Sequence, residues 1–127
     1  MLRRILILTI VVGWLSFPGS QVRAEESGEA ITAKGEVVDL ACYLGHGDAE
    51  REKMRGPGHR KCADTCLKKG MPIGIVTSDK QVWLAMEDHD NPKPYGELKN
   101  KAAETVTVEG NKATFGGLQG IVVESLK

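Results

Sequence analysis

The chain has 127 residues with 17 basic and 17 acidic side chains, a formal net charge of zero and only 5% aromatic residues. Such a balance gives no electrostatic footprint for nucleic acid, and the length leaves room for one domain with a modest core. Three cysteines in a chain so poor in aromatics make a covalent or metal staple a natural supplement to that core.

Met1 to Arg4 is basic, Ile5 to Phe17 is an apolar run too short for a comfortable membrane span, and Val22-Arg23-Ala24 is a small-x-small cleavage pattern. Residues 1–24 therefore read as a signal peptide, with an uncleaved anchor as the alternative. The protein is expected to be periplasmic or secreted, and off the membrane once cleaved. Cleavage takes away Arg3, Arg4 and Arg23 and no acid, leaving 14 basic against 17 acidic residues and a formal charge of −3.

Residues 25–30 are expected to be a disordered charged leader, followed by a single domain over 31–127. The first β signal runs from Ile31 to Leu44 and predicts a strand over 31–42, with Gly35 allowing a bend or bulge. Gly45 to Gly58, charged at its centre and closed by Gly56-Pro57-Gly58, reads as an exposed excursion. Residues 59–69 suit a short helix: Pro-Gly precedes it, Lys68-Lys69 complement its C-terminal dipole and Gly70 is placed to end it. Met71 to Thr77 and Gln81 to Met86, separated by Ser78-Asp79-Lys80, predict an antiparallel hairpin. The proline-rich turn Asp88 to Pro94 leads to a helix over 95–102. Strands are then expected over 104–109 and 117–126, with Gly110-Asn111-Lys112 as a turn.

This order, strand, helical insertion, hairpin, short helix, two strands, is close to that of a mainly β, five-stranded oligonucleotide/oligosaccharide-binding (OB) barrel, while strand count and spacing also allow another small barrel or a sandwich. A cysteine-bearing helical insertion follows strand 1, and a short helix lies between strands 3 and 4. Gly35-Glu36-Val37-Val38-Asp39, Cys42-Tyr43, His59 with Cys62 and Cys66, Gly70-Met71-Pro72-Ile73-Gly74 and His89-Asp90-Asn91-Pro92 resemble a group of small, uncharacterised, secreted bacterial proteins with an OB-like domain. The likeness spans nearly all of the mature chain and implies fold and location, but no activity. Trp83, Met86 and His89 are loosely similar to the ligand region of periplasmic OB-fold copper chaperones. Strand alternation puts 83 and 86 on opposite faces and no Met-x-Met pair is present, so that ligand set does not carry over. Trp83 and Met86 are expected to pack the barrel, and His89 to sit in a turn.

The chemistry concentrates elsewhere. In a helix, His59, Cys62 and Cys66 fall within an arc of roughly 60°, and Cys42 and His46 follow a stretch of β pattern whose end could bring them over that stripe. Thiolates and imidazoles favour Cu(I) or Zn²⁺ over hard cations. The expected role is binding a soft metal, copper ahead of zinc, through His59, Cys62 and Cys66, with Cys42 or His46 completing the set and no enzymatic activity. Two other readings stay open. Cys42 could bridge to Cys62 or Cys66 and staple a binding module that holds no metal, or Cys62 and Cys66 could cycle between dithiol and disulfide. A cysteine hydrolase lacks an oxyanion device and a third triad member. The acidic turn at Glu87, Asp88 and Asp90 lacks the glycine and terminal glutamate of a calcium loop. Gly116-Gly117 and Gly120 lack the strand-turn-helix setting of a phosphate loop, and Cys62-x-x-x-Cys66 is not followed by the histidine of a haem attachment site.

Overall fold

The structure, a computed structural model, describes residues 28–127. The signal segment and the start of the leader lie outside the described residues. Gly28 and Glu29 are already tied to the domain: the Gly28 amide donates to the Lys112 carbonyl at 2.7 Å and the Lys112 amide to the Glu29 carbonyl at 2.8 Å. With the first strand beginning at Ala30, the expected disorder does not extend over 28–30.

Five strands close into a barrel: β1 (Ala30–Asp39), β2 (Ile73–Thr77), β3 (Val82–Glu87), β4 (Thr105–Phe115) and β5 (Leu118–Leu126), in the order β1-β2-β3-β5-β4. All neighbours are antiparallel except β3 and β5. The fold is the expected mainly β, OB-like barrel. Strand β1 closes it, because residues 30–36 pair with β4 while residues 35–39 pair with β2. Gly35 sits where the two pairings overlap, and a Cβ there would lie 2.4 Å from the Val76 carbonyl oxygen. Only glycine permits that approach.

The barrel is filled by β-branched and aliphatic residues at alternating inward positions, among them Val37, Ile73, Ile75, Val108, Ile121 and Val123, all fully buried. A satellite cluster of Val38, Tyr43 and Val76, joined by Met54 and Val82, lies outside the main core. Trp83 packs against the core, as expected, but Met86 does not stay inside: it is 37% exposed.

Four short helices and one 3-10 turn decorate the barrel: α1 (Leu40–Gly45), α2 (Asp48–Arg51), the turn Glu52–Met54, α3 (Arg60–Lys68) and α4 (Lys93–Leu98). The first strand stops at Asp39, short of residue 42, because the Asp39 side chain accepts from the Ala41 amide at 3.0 Å and the Cys42 amide at 3.4 Å and so caps α1. Cys42 is thus on a helix, not on a strand end. Helix α4 starts at Lys93 and ends at Leu98, displaced from the expected 95–102, since Pro92 and Pro94 fit its first turn. The expected turn at 110–112 is also corrected. Strand β4 runs on to Phe115 through a bulge between Glu109 and Gly110, where a Cβ would lie 1.9 Å from the Val122 carbonyl oxygen. The chain reverses at Gly116 and Gly117, whose φ values of 57° and 85° suit glycine.

Candidate metal centre

Helix α3 presents its cysteines because both of its ends are fixed. Its C-terminus closes with a left-handed Gly70 at φ 91°: the Gly70 amide donates to the Leu67 carbonyl at 3.0 Å and the Met71 amide to the Cys66 carbonyl at 3.1 Å. This paired-bond glycine stop follows from the sequence. One face of the helix buries Ala63 and Leu67 against the barrel. Cys66 lies half-buried at the border of that face and Cys62 is exposed, so the thiols rim the apolar face and do not belong to it.

The same hydrogen bonds deliver Cys42. Asp39, the last residue of β1, pairs with Ile73, and the next amide, Leu40, donates to the Pro72 carbonyl at 2.9 Å. Residues 71–73 therefore join the end of α3 to the start of α1, which lays the first turn of α1 beside the last turn of α3. The result is a cluster in which the three sulfurs of Cys42, Cys62 and Cys66 all lie within 4.8 Å of one another. All three thiols are free.

The two histidines expected at the site stand apart from this set. His46 is exposed, and its Nδ1 donates to the Cys42 carbonyl at 2.7 Å, so the ring closes the end of its own helix. His59 precedes α3 at its N-cap and is not on the helical stripe itself. Its Nε2 is buried without a hydrogen-bond partner, yet it does not join the group of converging ligand atoms. His89 is exposed in the turn after β3.

Sequence reasoning missed Asp39, which is only 1% exposed. One carboxylate oxygen caps α1. The other, Oδ2, is buried and has no hydrogen bond of ordinary geometry. Interaction with Asp39, then burial, then the Asp39 charge and the neighbouring sulfurs push the Cys42 thiol up to about 12. The same carboxylate raises Cys66, again ahead of burial. These thiols keep their protons at neutral pH unless a cation replaces them. An Asp immediately ahead of the apolar Leu40-Ala41-Cys42-Tyr43-Leu44 is an N-cap signal, and that signal could have found it.

The surrounding loop is anchored on this side of the barrel. Arg51 Nε donates to the Tyr43 carbonyl at 3.2 Å, with its guanidinium carbon 5.8 Å from the centre of the Tyr43 ring. Arg55 Nε donates to Glu36 Oε2 at 3.2 Å, and the Gly56 amide donates to the other oxygen of the same carboxylate. Glu36 thus ties the excursion between α1 and α3 back to β1.

No protein-family model, curated protein or solved structure matches the chain. Fold and site together define a small β-barrel with a three-cysteine cluster that could hold a metal ion. Among the described residues no helix is long and apolar enough to cross a membrane.

Proposed function

We propose that this protein is an exported metal-binding barrel that holds one soft ion through Cys42, Cys62 and Cys66, with Cu(I) the first match to three thiolates and Zn²⁺ the second. The observation that carries this reading is the mutual approach of three sulfurs, from two separate helices, to within 4.8 Å. An unbound trio of this kind needs little rearrangement to surround an ion with metal–sulfur bonds of about 2.3 Å. The basic start, apolar run and cleavage pattern of residues 1–24 support export to the periplasm or beyond.

Three converging sulfurs drawn from two helices suit the shell of one soft ion, whereas a dithiol–disulfide couple at Cys62 and Cys66 would leave Cys42 without a role. The competing reading, a structural disulfide from Cys42 to one helix cysteine, predicts a different thiol count.

The deciding experiment is a titration of purified protein against a competing Cu(I) chelator, with thiols counted before and after reduction. The expected result is three reactive thiols and one Cu(I) per chain, with binding lost in Cys66→Ser and unchanged in His89→Ala. Binding should weaken as pH falls, because protons compete for the sulfurs. One titratable thiol in the unreduced protein and no metal uptake would refute the metal reading in favour of a stapled binding module.

A further inference from the structure

A cleft of about 440 Å³ opens where the start of α3 faces the segment that leads from α4 into β4. Pro57, Arg60, Lys61 and Asp64 line one side, and Asn100, Ala102 and Glu104 line the other. Its volume falls within the range of small-molecule sites. At about 100° per residue, Arg60 and Asp64 flank the buried Ala63 and Leu67 on one side, while Cys62 and Cys66 flank them on the other. The cleft is therefore separate from the cysteine cluster, and metal binding makes no use of it.

Charge decides what such a cleft can hold. Both of its carboxylates are already paired with lysines that do not line it: Asp64 accepts from Lys68 at 2.9 Å, and Glu104 lies 3.4 Å from the Lys101 ammonium. Its two cations have no such partner, since among the described residues neither Arg60 nor Lys61 forms an ion pair. The unspent charge is positive. Asn100 adds a side-chain amide, while Pro57 and Ala102, the latter only 4% exposed, supply apolar surface. A guanidinium takes a carboxylate through two parallel hydrogen bonds, and the apolar residues beside it suit a short hydrocarbon body.

The wall opposite the helix is held in shape by the barrel. Ala103 has a φ of 60°, a left-handed conformation that residues with a Cβ seldom adopt. It is kept there because its amide donates to the Val37 carbonyl and the Val37 amide donates to the Glu104 carbonyl, both at 2.9 Å. The Glu104 amide closes the turn on the Lys101 carbonyl at 2.9 Å. With that wall tied to β1 and α3 anchored by Leu67, little ordering remains to oppose binding.

We propose that this cleft is a binding site for a small organic carboxylate. Arg60 is the principal anion anchor, Lys61 and Asn100 are supporting donors, and Pro57 and Ala102 meet the hydrocarbon portion.

The test is an amide-resolved NMR titration of the purified, reduced protein at fixed ionic strength. Butyrate is the probe, with butyramide, butylammonium and inorganic phosphate as controls. Butyrate should give saturable shifts centred on residues 57–64 and 100–104, butyramide and butylammonium none, and phosphate should bind more weakly. Arg60 is exposed, so Arg60→Gln should leave the spectrum away from the cleft unchanged while weakening butyrate at least about 10-fold. Arg60→Lys should lose only part of the affinity, because the charge persists while the planar fork is gone. No saturable shift, shifts centred elsewhere, an equal response to butyramide or butylammonium, or wild-type affinity in Arg60→Gln would each overturn the site. Phosphate binding as tight as butyrate would overturn the carboxylate assignment in favour of a general anion site. None of these outcomes depends on metal uptake by the cysteines.

Discussion

Replacing Leu67 with alanine should damage stability and metal binding together, because this side chain holds the cysteine helix to the barrel. Leu67 is fully buried, and the only other buried residue of α3 is Ala63, which contributes a single methyl. Leu→Ala substitutions in cores cost about 2.7–5 kcal/mol, rising with the cavity that remains. The wall of a closed barrel is fixed by its hydrogen-bond ladders and collapses little, so the upper half of that range, roughly 4 kcal/mol, is expected. At about 4–8 °C per kcal/mol for a domain of this size, Tm should fall by at least roughly 16 °C. The assay is thermal and urea denaturation followed by circular dichroism, with and without metal. Excess ion should restore part of the loss, since a ligand at 100 times its Kd stabilises the folded state by about 2.7 kcal/mol. Cys66→Ser, by contrast, should abolish the metal effect and leave the Tm of metal-free protein nearly unchanged. A Leu67→Ala cost below about 1 kcal/mol with undiminished metal affinity would refute the idea that α3 is held by this contact.

Gly110→Ala should destabilise by about 1–3 kcal/mol or more through overpacking, because its Cβ would meet the Val122 carbonyl at 1.9 Å; urea denaturation reads this directly, and a neutral result would contradict the bulge. Alkylation of metal-free protein near neutral pH should modify the exposed Cys62 first and Cys42 last, since the thiolate is the reactive form and Cys42 holds its proton up to about 12. Peptide mass spectrometry gives the order, and equal rates would show that Asp39 does not govern Cys42. The same raised value makes folding stability pH-dependent: the unfolded chain releases the Cys42 proton near its ordinary 9.0, so the contribution is complete below that pH and is lost as pH rises toward about 12. Cys42→Ser should flatten that alkaline decline in denaturation curves, and an unchanged slope would assign it to other groups.

The parts of this molecule that were legible in the sequence are those set by local chemistry. The proline-glycine lead and the glycine stop bracket α3, and the order of strands and helices gives the barrel. What misled was alternation carried past its natural end. Val37, Val38 and Leu40 keep a β rhythm, but Asp39 between them captures two amides and turns the chain into α1. Gly110-Asn111-Lys112 has turn composition, yet partner strands on both sides hold it extended, and the reversal falls to Gly116-Gly117. At the candidate site, the spacing of Cys62 and Cys66 was informative because one helix carries both. Their meeting with Cys42 depends on the non-local pairing of Asp39 with Ile73. His59 was included by helical spacing and His46 by its nearness to Cys42, whereas His59 stands at the N-cap just ahead of α3 and His46 closes the end of α1 through the Cys42 carbonyl. Asp39 was read as part of a strand, which concealed its buried oxygen.

Strand β1 pairs along its first half with β4, some seventy residues downstream. The cysteine cluster spans only residues 42–66 and is framed by the pairing of β1 with β2. These two assemblies differ in the length of chain that must be gathered, and closing a longer loop costs more entropy. A nascent chain can therefore bring its sulfurs together before the barrel shuts. Until residues 105–111 arrive, the open flank of β1 offers unpaired backbone groups to any other strand. The interval before closure is when this protein is most exposed to misassociation, and an ion captured by the early cysteine unit would shorten it by holding β1 and β2 in register.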